Sequence, residues 1–251
     1  MPRRIDCSFD STWEALDMSC KHLHGISIGE NSELSFYDNL RQFSIPLIWT
    51  QQYNNNQRIA LAIDESLSAL PLQSCKFLAK RILHSFDPAA TNERQRGRVA
   101  KRILLYPRNT QMVRHFLDAL AKKFGHGTVP AVGVRKAGIV ARKMMAGSEI
   151  ELFGTKFVFS TEVRLSFLLN GFLYIYRNER LHGTKPSPFI SSKATIKTFT
   201  LAHSAFLMTH LLLLLILNKW DPGNHDSSDI CFNQCQNLEG SRRLYGRHVD
   251  R

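Results

Sequence analysis

Residues 201–217, "LAHSAFLMTHLLLLLIL", form an almost unbroken apolar run of seventeen residues. As a helix it would be about 25 Å long, the lower edge of what crosses the hydrocarbon of a bilayer. A helix apolar on every side has to be enclosed, either by protein or by lipid. His203, Ser204, Thr209 and His210 interrupt the run, and two imidazoles in hydrocarbon would be costly. The expectation is therefore a core helix wrapped by other helices, with no membrane partner.

Several features point to a cytoplasmic chain. The start, "MPRRIDCSFD", holds no apolar segment, so no signal peptide is predicted. Cys7, Cys20, Cys75, Cys231 and Cys235 are odd in number and scattered, which suits a reducing compartment better than a disulfide framework. Cys231 and Cys235, with His225 near them, hint at a metal, but no fourth ligand is evident, and metal and cofactor are both expected to be none. Lys and Arg number 33 against 21 Asp and Glu, a net charge of +12. That balance favours a polyanionic partner, RNA or DNA ahead of a membrane surface.

Helical periodicity dominates. In "FDSTWEALDMSCKHL" (9–23), Trp13, Leu16, Cys20 and Leu23 recur at helical spacing, and Asp10 or Ser11 can cap the helix. Further helical patterns cover about 57–70, 73–85, 91–105 and 110–124, separated by Pro71, Pro88, Pro107 and Gly125. Arg94, Arg96, Arg98, Lys101 and Arg102 crowd the third of these, as a solvated face or an RNA-contacting one. Residues 125–150 are rich in glycine and small side chains and poorly periodic. "EIELFGTKFVF" (149–159) alternates around Phe153-Gly154 and predicts a short β-hairpin. A long helix over 161–182, a loop and a last helix over about 191–219 follow. After Trp220 the chain is polar and contains glycine, and residues 221–251 are expected to be a mobile tail. The fold class is all-α.

The long helix ends abruptly. An apolar stretch, residues 165–176, gives way to "RNERLHG". Asn178 and His182 are four apart and share a face with Tyr174, whereas Arg177 and His182 are five apart, about 140° around a regular helix. The two converge only if the helix unwinds before Gly183 or if a second copy brings its own Arg or His across. A basic last turn followed by glycine is also what an ordinary helix end looks like. Arg108 to His115 and Arg243 to His248 repeat the bare pattern, but only Arg177 leaves an apolar helix with asparagine next and glycine after the histidine.

That combination resembles the HEPN superfamily, all-α domains in which a "YxxRNxxxHG"-like run ends one core helix. "FDSTWEAL" (9–16) is similar to the aromatic-rich first helix of Apea-like HEPN families, and "FISSKATIKTFTLAHSAFLMTHLLLLLIL" to their final core helix. The resemblance covers roughly a third of the chain; residues 30–150 match nothing in that pattern. It implies a HEPN-like helical bundle over 1–220 with a helical insertion at about 35–150 and a short β-hairpin. It also implies a homodimer whose composite site is a metal-independent endoribonuclease, in a defence or toxin-like role.

Such chemistry needs a base for the RNA 2′-OH, an acid for the departing 5′-oxygen and a cation for the phosphorane-like transition state. His182 would be acid or base, Arg177 the phosphate clamp and Asn178 the residue that orients the imidazole. Arg180, Lys185 and Tyr174 are the expected RNA-binding helpers. Two readings compete: a non-catalytic module that binds nucleic acid or a partner, and a structural HEPN-like dimer that regulates a protein partner. No Walker loop or G-x-G-x-x-G occurs, so nucleotide-hydrolysis chemistry finds no support.

Overall fold

Helix α1 (9–20) forms because Phe9, Trp13, Leu16 and Cys20 fall on one stripe, and all four are buried. The computed structural model describes residues 9–20, 57–86, 98–104, 110–181, 195–221, 223 and 226–246. The helices that follow are α2 (Gln57–Ser68), α3 (Leu72–Ser85), α4 (Arg98–Leu104), α5 (Thr110–Phe124) and α6 (Ala131–Met145). Strands β1 (Ile150–Leu152) and β2 (Thr155–Phe157) come next, then α7 (Thr161–Ser166), a π-helical segment (Phe167–Leu173), α8 (Tyr174–Leu181), α9 (Ile196–Trp220) and α10 (Ser227–Tyr245). The fold is all-α with a small antiparallel hairpin.

The chain divides into two compact units, one built from residues 1–66 and 177–248, the other chiefly from 67–176. The second unit is thus drawn chiefly from one continuous stretch of the chain.

In the first unit α9 carries the apolar run. Leu201, Ala205, Met208, Leu212, Leu215 and Ile216 are buried, and 67% of its most apolar window is buried. Among the described residues it is the one helix long and apolar enough to cross a membrane. Its buried hydroxyls bond to its own backbone: Thr200 to the Ile196 carbonyl at 2.7 Å and Thr209 to that of Ala205 at 2.9 Å, so neither is left without a partner. His203 lies 2.8 Å from the Ser241 hydroxyl and 5.3 Å, ring to ring, from Tyr245, which seats α10 against α9.

The expectation of a mobile polar tail after Trp220 is overturned by α10. Its Asp226 cap accepts from the Ser228 N–H at 3.0 Å, and Ile230, Gln234, Leu238 and Tyr245 are buried. Gln234 donates to the Ser66 hydroxyl at 2.9 Å, and Arg58 of α2 to Ser228 at 3.3 Å, so α10 lies along α2. Its apolar stripe is too sparse to register as periodicity, and its buried glutamine is satisfied only by a residue 168 positions away. The local signals were present: Asp226 and Asp229 at its start, Gly246 after its end.

In the second unit α3 is the central helix, packed against α4, α5, α6 and the π-helical segment. The stretch 125–150, poorly periodic in sequence, contains α6. Its small residues serve contact: a Cβ on Gly138 would stand 2.6 Å from Lys76 Cγ and 2.9 Å from Lys76 Cα. The helices can approach this closely only because glycine has no side chain. Phe116 meets Phe159, Phe157 and Phe167 edge-on at 4.9, 5.5 and 6.2 Å, which ties α5 to the hairpin and to the π-helical segment. The hairpin pairs Ile150 with Phe157 and Leu152 with Thr155. Phe153 (φ 52°) and Gly154 (φ 76°) both have positive φ, as a two-residue type I′ turn requires.

Candidate active site

The helix that delivers the motif is not uniform. Phe167–Leu173 is π-helical, and the Tyr174 N–H reaches the Leu169 carbonyl five residues back. The wider turn is wedged in place by its neighbours. A Cβ on Gly171 would meet Leu78 Cδ1 at 2.7 Å and Ile103 Cδ1 at 3.2 Å, and buried Asn170 donates to the Ser166 hydroxyl at 3.4 Å. A π-turn inserts an extra residue into the helical register, so the faces of residues before 167 do not extrapolate to the motif. From Tyr174 onward the helix is again α.

The motif's two arginines have different environments. The Arg180 side chain is only 10% exposed and grips Asp10 of α1, Nε to Oδ1 at 3.0 Å and Nη2 to Oδ2 at 2.7 Å. Asp10 does not cap α1, since Phe9 is already helical; it anchors the end of α8. A carboxylate holding both arms of the fork leaves Arg180 poorly placed to bind phosphate, the role expected of it. Arg177 is half-buried and donates through Nη1 to the Asn178 side-chain oxygen at 3.1 Å. Among the described residues no carboxylate pairs with Arg177, so its charge is not neutralised there, and four of its five N–H donors lie outside that bond.

Asn178 therefore faces Arg177 through its amide oxygen, which has a second lone pair, and retains an NH₂ donor for another group. Tyr174 falls on the other side of the unit boundary, with the Arg102 guanidinium stacked 4.2 Å from its ring centroid. His182 and Lys185 lie outside the described residues.

The structure thus brings together Arg177 and Asn178, and adds Asp10 behind Arg180. Sequence reasoning missed that pairing, although the stripe of Phe9, Trp13 and Leu16 shows that Asp10 sits within the helix. Of the two other arginine–histidine spacings, His115 is exposed on α5 and Arg243 pairs with Glu239 on α10; Arg108 and His248 lie outside the described residues.

Among the described residues no three His, Cys, Asp or Glu side chains are grouped to hold a metal. Cys235 on α10 contacts Glu65 Oε2 at 3.8 Å, and His225 lies outside the described residues. Burial pushes the Cys20 and Cys75 thiols up to about 12, far from the thiolate that nucleophilic catalysis requires. No family model, curated protein or solved structure matches the chain.

Proposed function

We propose that the chain is a metal-independent endoribonuclease of HEPN type, acting as a cytoplasmic homodimer. The observation that carries this reading is the contrast between the two arginines. Arg180 is bound to Asp10, while Arg177 is held by Asn178 and, among the described residues, by no carboxylate. A guanidinium oriented by an amide keeps its charge and its planar fork for a phosphodiester.

In this reading His182, five residues on, moves the proton. As base it takes the 2′-OH proton while the 2′-oxygen attacks phosphorus; as acid it gives a proton to the departing 5′-oxygen. Arg177 stabilises the charge that gathers on the phosphoryl oxygens. The second lone pair of the Asn178 oxygen suits an imidazole N–H, which would fix the tautomer. Because about 140° separates Arg177 from His182 on a regular helix, the complete set is assembled from two copies. The products are a 2′,3′-cyclic phosphate and a 5′-hydroxyl. A defence or toxin-like role follows from the family resemblance alone.

The test is incubation of pure protein with total RNA in excess EDTA, followed by end-group analysis, beside the His182→Ala protein. Cleavage that survives chelation, leaves those ends, spares DNA and vanishes in the variant is the expected result. Cleavage abolished by EDTA would replace this reading with a metal-dependent one, and RNA left intact and merely retained with a non-catalytic one.

A further inference from the structure

The second unit carries a charged surface that the proposed chemistry does not use. Residues 119–148 contain six Lys and Arg and not one Asp or Glu. This segment is the end of α5, the 125–130 loop and α6, and α5, α6 and β1 pack on one another. Lys122, Lys123, Arg135, Lys136 and Lys143 are exposed, and among the described residues none of the five pairs with a carboxylate.

On α6 these cations are not scattered. Residues 132, 135, 136, 139 and 143 fall within about 100° of arc and span about 16 Å of helix. Arg135, Lys136 and Lys143 therefore surround two exposed aliphatic side chains, Val132 at 66% and Ile139 at 43% exposure. The hairpin tip adds an aromatic ring. Phe153 is 58% exposed, and the Lys122 ammonium lies 4.9 Å from its centroid. Phe153 is also the one described residue other than glycine with positive φ, at 52°. A bulky side chain in that conformation is strained, so the tip keeps an unfavourable residue where asparagine or glycine would fit better.

We infer that α6, the end of α5 and the Phe153 tip form a docking surface for single-stranded nucleic acid. Phosphates need unpaired cations, which the acid-free segment supplies. Bases need apolar and aromatic groups, and only an unpaired strand can turn its bases onto them. A duplex would use the cations and leave Phe153, Val132 and Ile139 idle. The surface lies wholly in one unit and needs no cleavage, so it stands whether or not the endoribonuclease reading does.

The test is fluorescence anisotropy with a labelled single strand of about 16 nucleotides, using the full-length His182→Ala chain so that nothing is cut. Reversing Lys122, Arg135 and Lys136 to Glu should weaken binding at least tenfold and flatten the salt dependence by about 0.7 in log–log slope per lost phosphate contact. Phe153→Asn, which relieves the turn, should raise the melting temperature yet weaken binding about fivefold. RNA and DNA strands should bind alike, and the matching duplex more weakly. Affinity unchanged by the triple reversal and by Phe153→Asn overturns the proposal. So does a duplex bound as tightly as the single strand, or a surface that binds phosphatidylserine vesicles and neither nucleic acid.

Discussion

Asp10 and Arg180 stand 170 residues apart and meet in two parallel hydrogen bonds of 3.0 and 2.7 Å. The pair ties the first described helix to the end of the motif helix within one unit. Arg180 is the more enclosed member, so removing Asp10 strands a guanidinium that water reaches poorly. Asp10→Ala is expected to cost about 1–3 kcal/mol, read from urea unfolding. Arg180→Ala should destabilise as well, and the double variant should lose less than the sum. An Arg180→Ala protein of unchanged stability but weakened RNA binding would make Arg180 a ligand contact instead.

The two arginines should separate in kinetics. Arg177→Lys keeps the charge but loses the fork and the Asn178 contact, and is expected to lower the cleavage rate about tenfold or more. Arg180→Lys should act on stability first. His182→Ala should cost about a hundredfold or more, whereas exposed His115 should be replaceable by Ala with little effect on rate. These rates are to be read from single-turnover cleavage at saturating protein.

Two glycines give opposite expectations from the same substitution. At Gly138 a methyl group would press on Lys76 backbone atoms at 2.9 and 3.1 Å, which cannot swing aside. Gly138→Ala should therefore destabilise by about 1–3 kcal/mol despite the better helix propensity of alanine. Gly240 lies in α10 with nothing within 4 Å of an added Cβ. Gly240→Ala should stabilise by up to about 1 kcal/mol. Thermal unfolding of both variants beside the parent decides the matter.

Acid should loosen the first unit. Burial lowers the pKa of His203, and likewise of His210, below the usual 6.5. The unfolded chain then binds more protons than the folded one at mildly acidic pH, so stability is full above 6.5 and falls as pH drops from there toward the depressed folded values. His203→Gln should flatten the melting temperature between pH 7 and pH 5 relative to the parent; an unchanged slope would remove His203 as a cause.

Local pattern was enough for much of this fold. The stripe of Trp13, Leu16 and Cys20, the proline-bounded helices α3 and α5, the turn at Phe153-Gly154 and the enclosed run in α9 all follow from spacing within a few turns of chain. Periodicity and turn chemistry act between near neighbours, and a sequence displays near neighbours directly. Four features depended on tertiary contact. Helix α6 looks irregular until its glycine meets the Lys76 backbone. The π-helical segment exists where Gly171 meets Leu78 and Ile103. Helix α10 is held by Gln234 on Ser66, and Asp10 serves Arg180 in place of its own helix end. Each rests on side chains brought together from distant positions, where packing and hydrogen-bond satisfaction outweigh weak local preference. For the same reason the motif 177–182 was legible as a string of residues, while the difference between its two arginines became visible only when a carboxylate from the far end of the chain was seated on one of them.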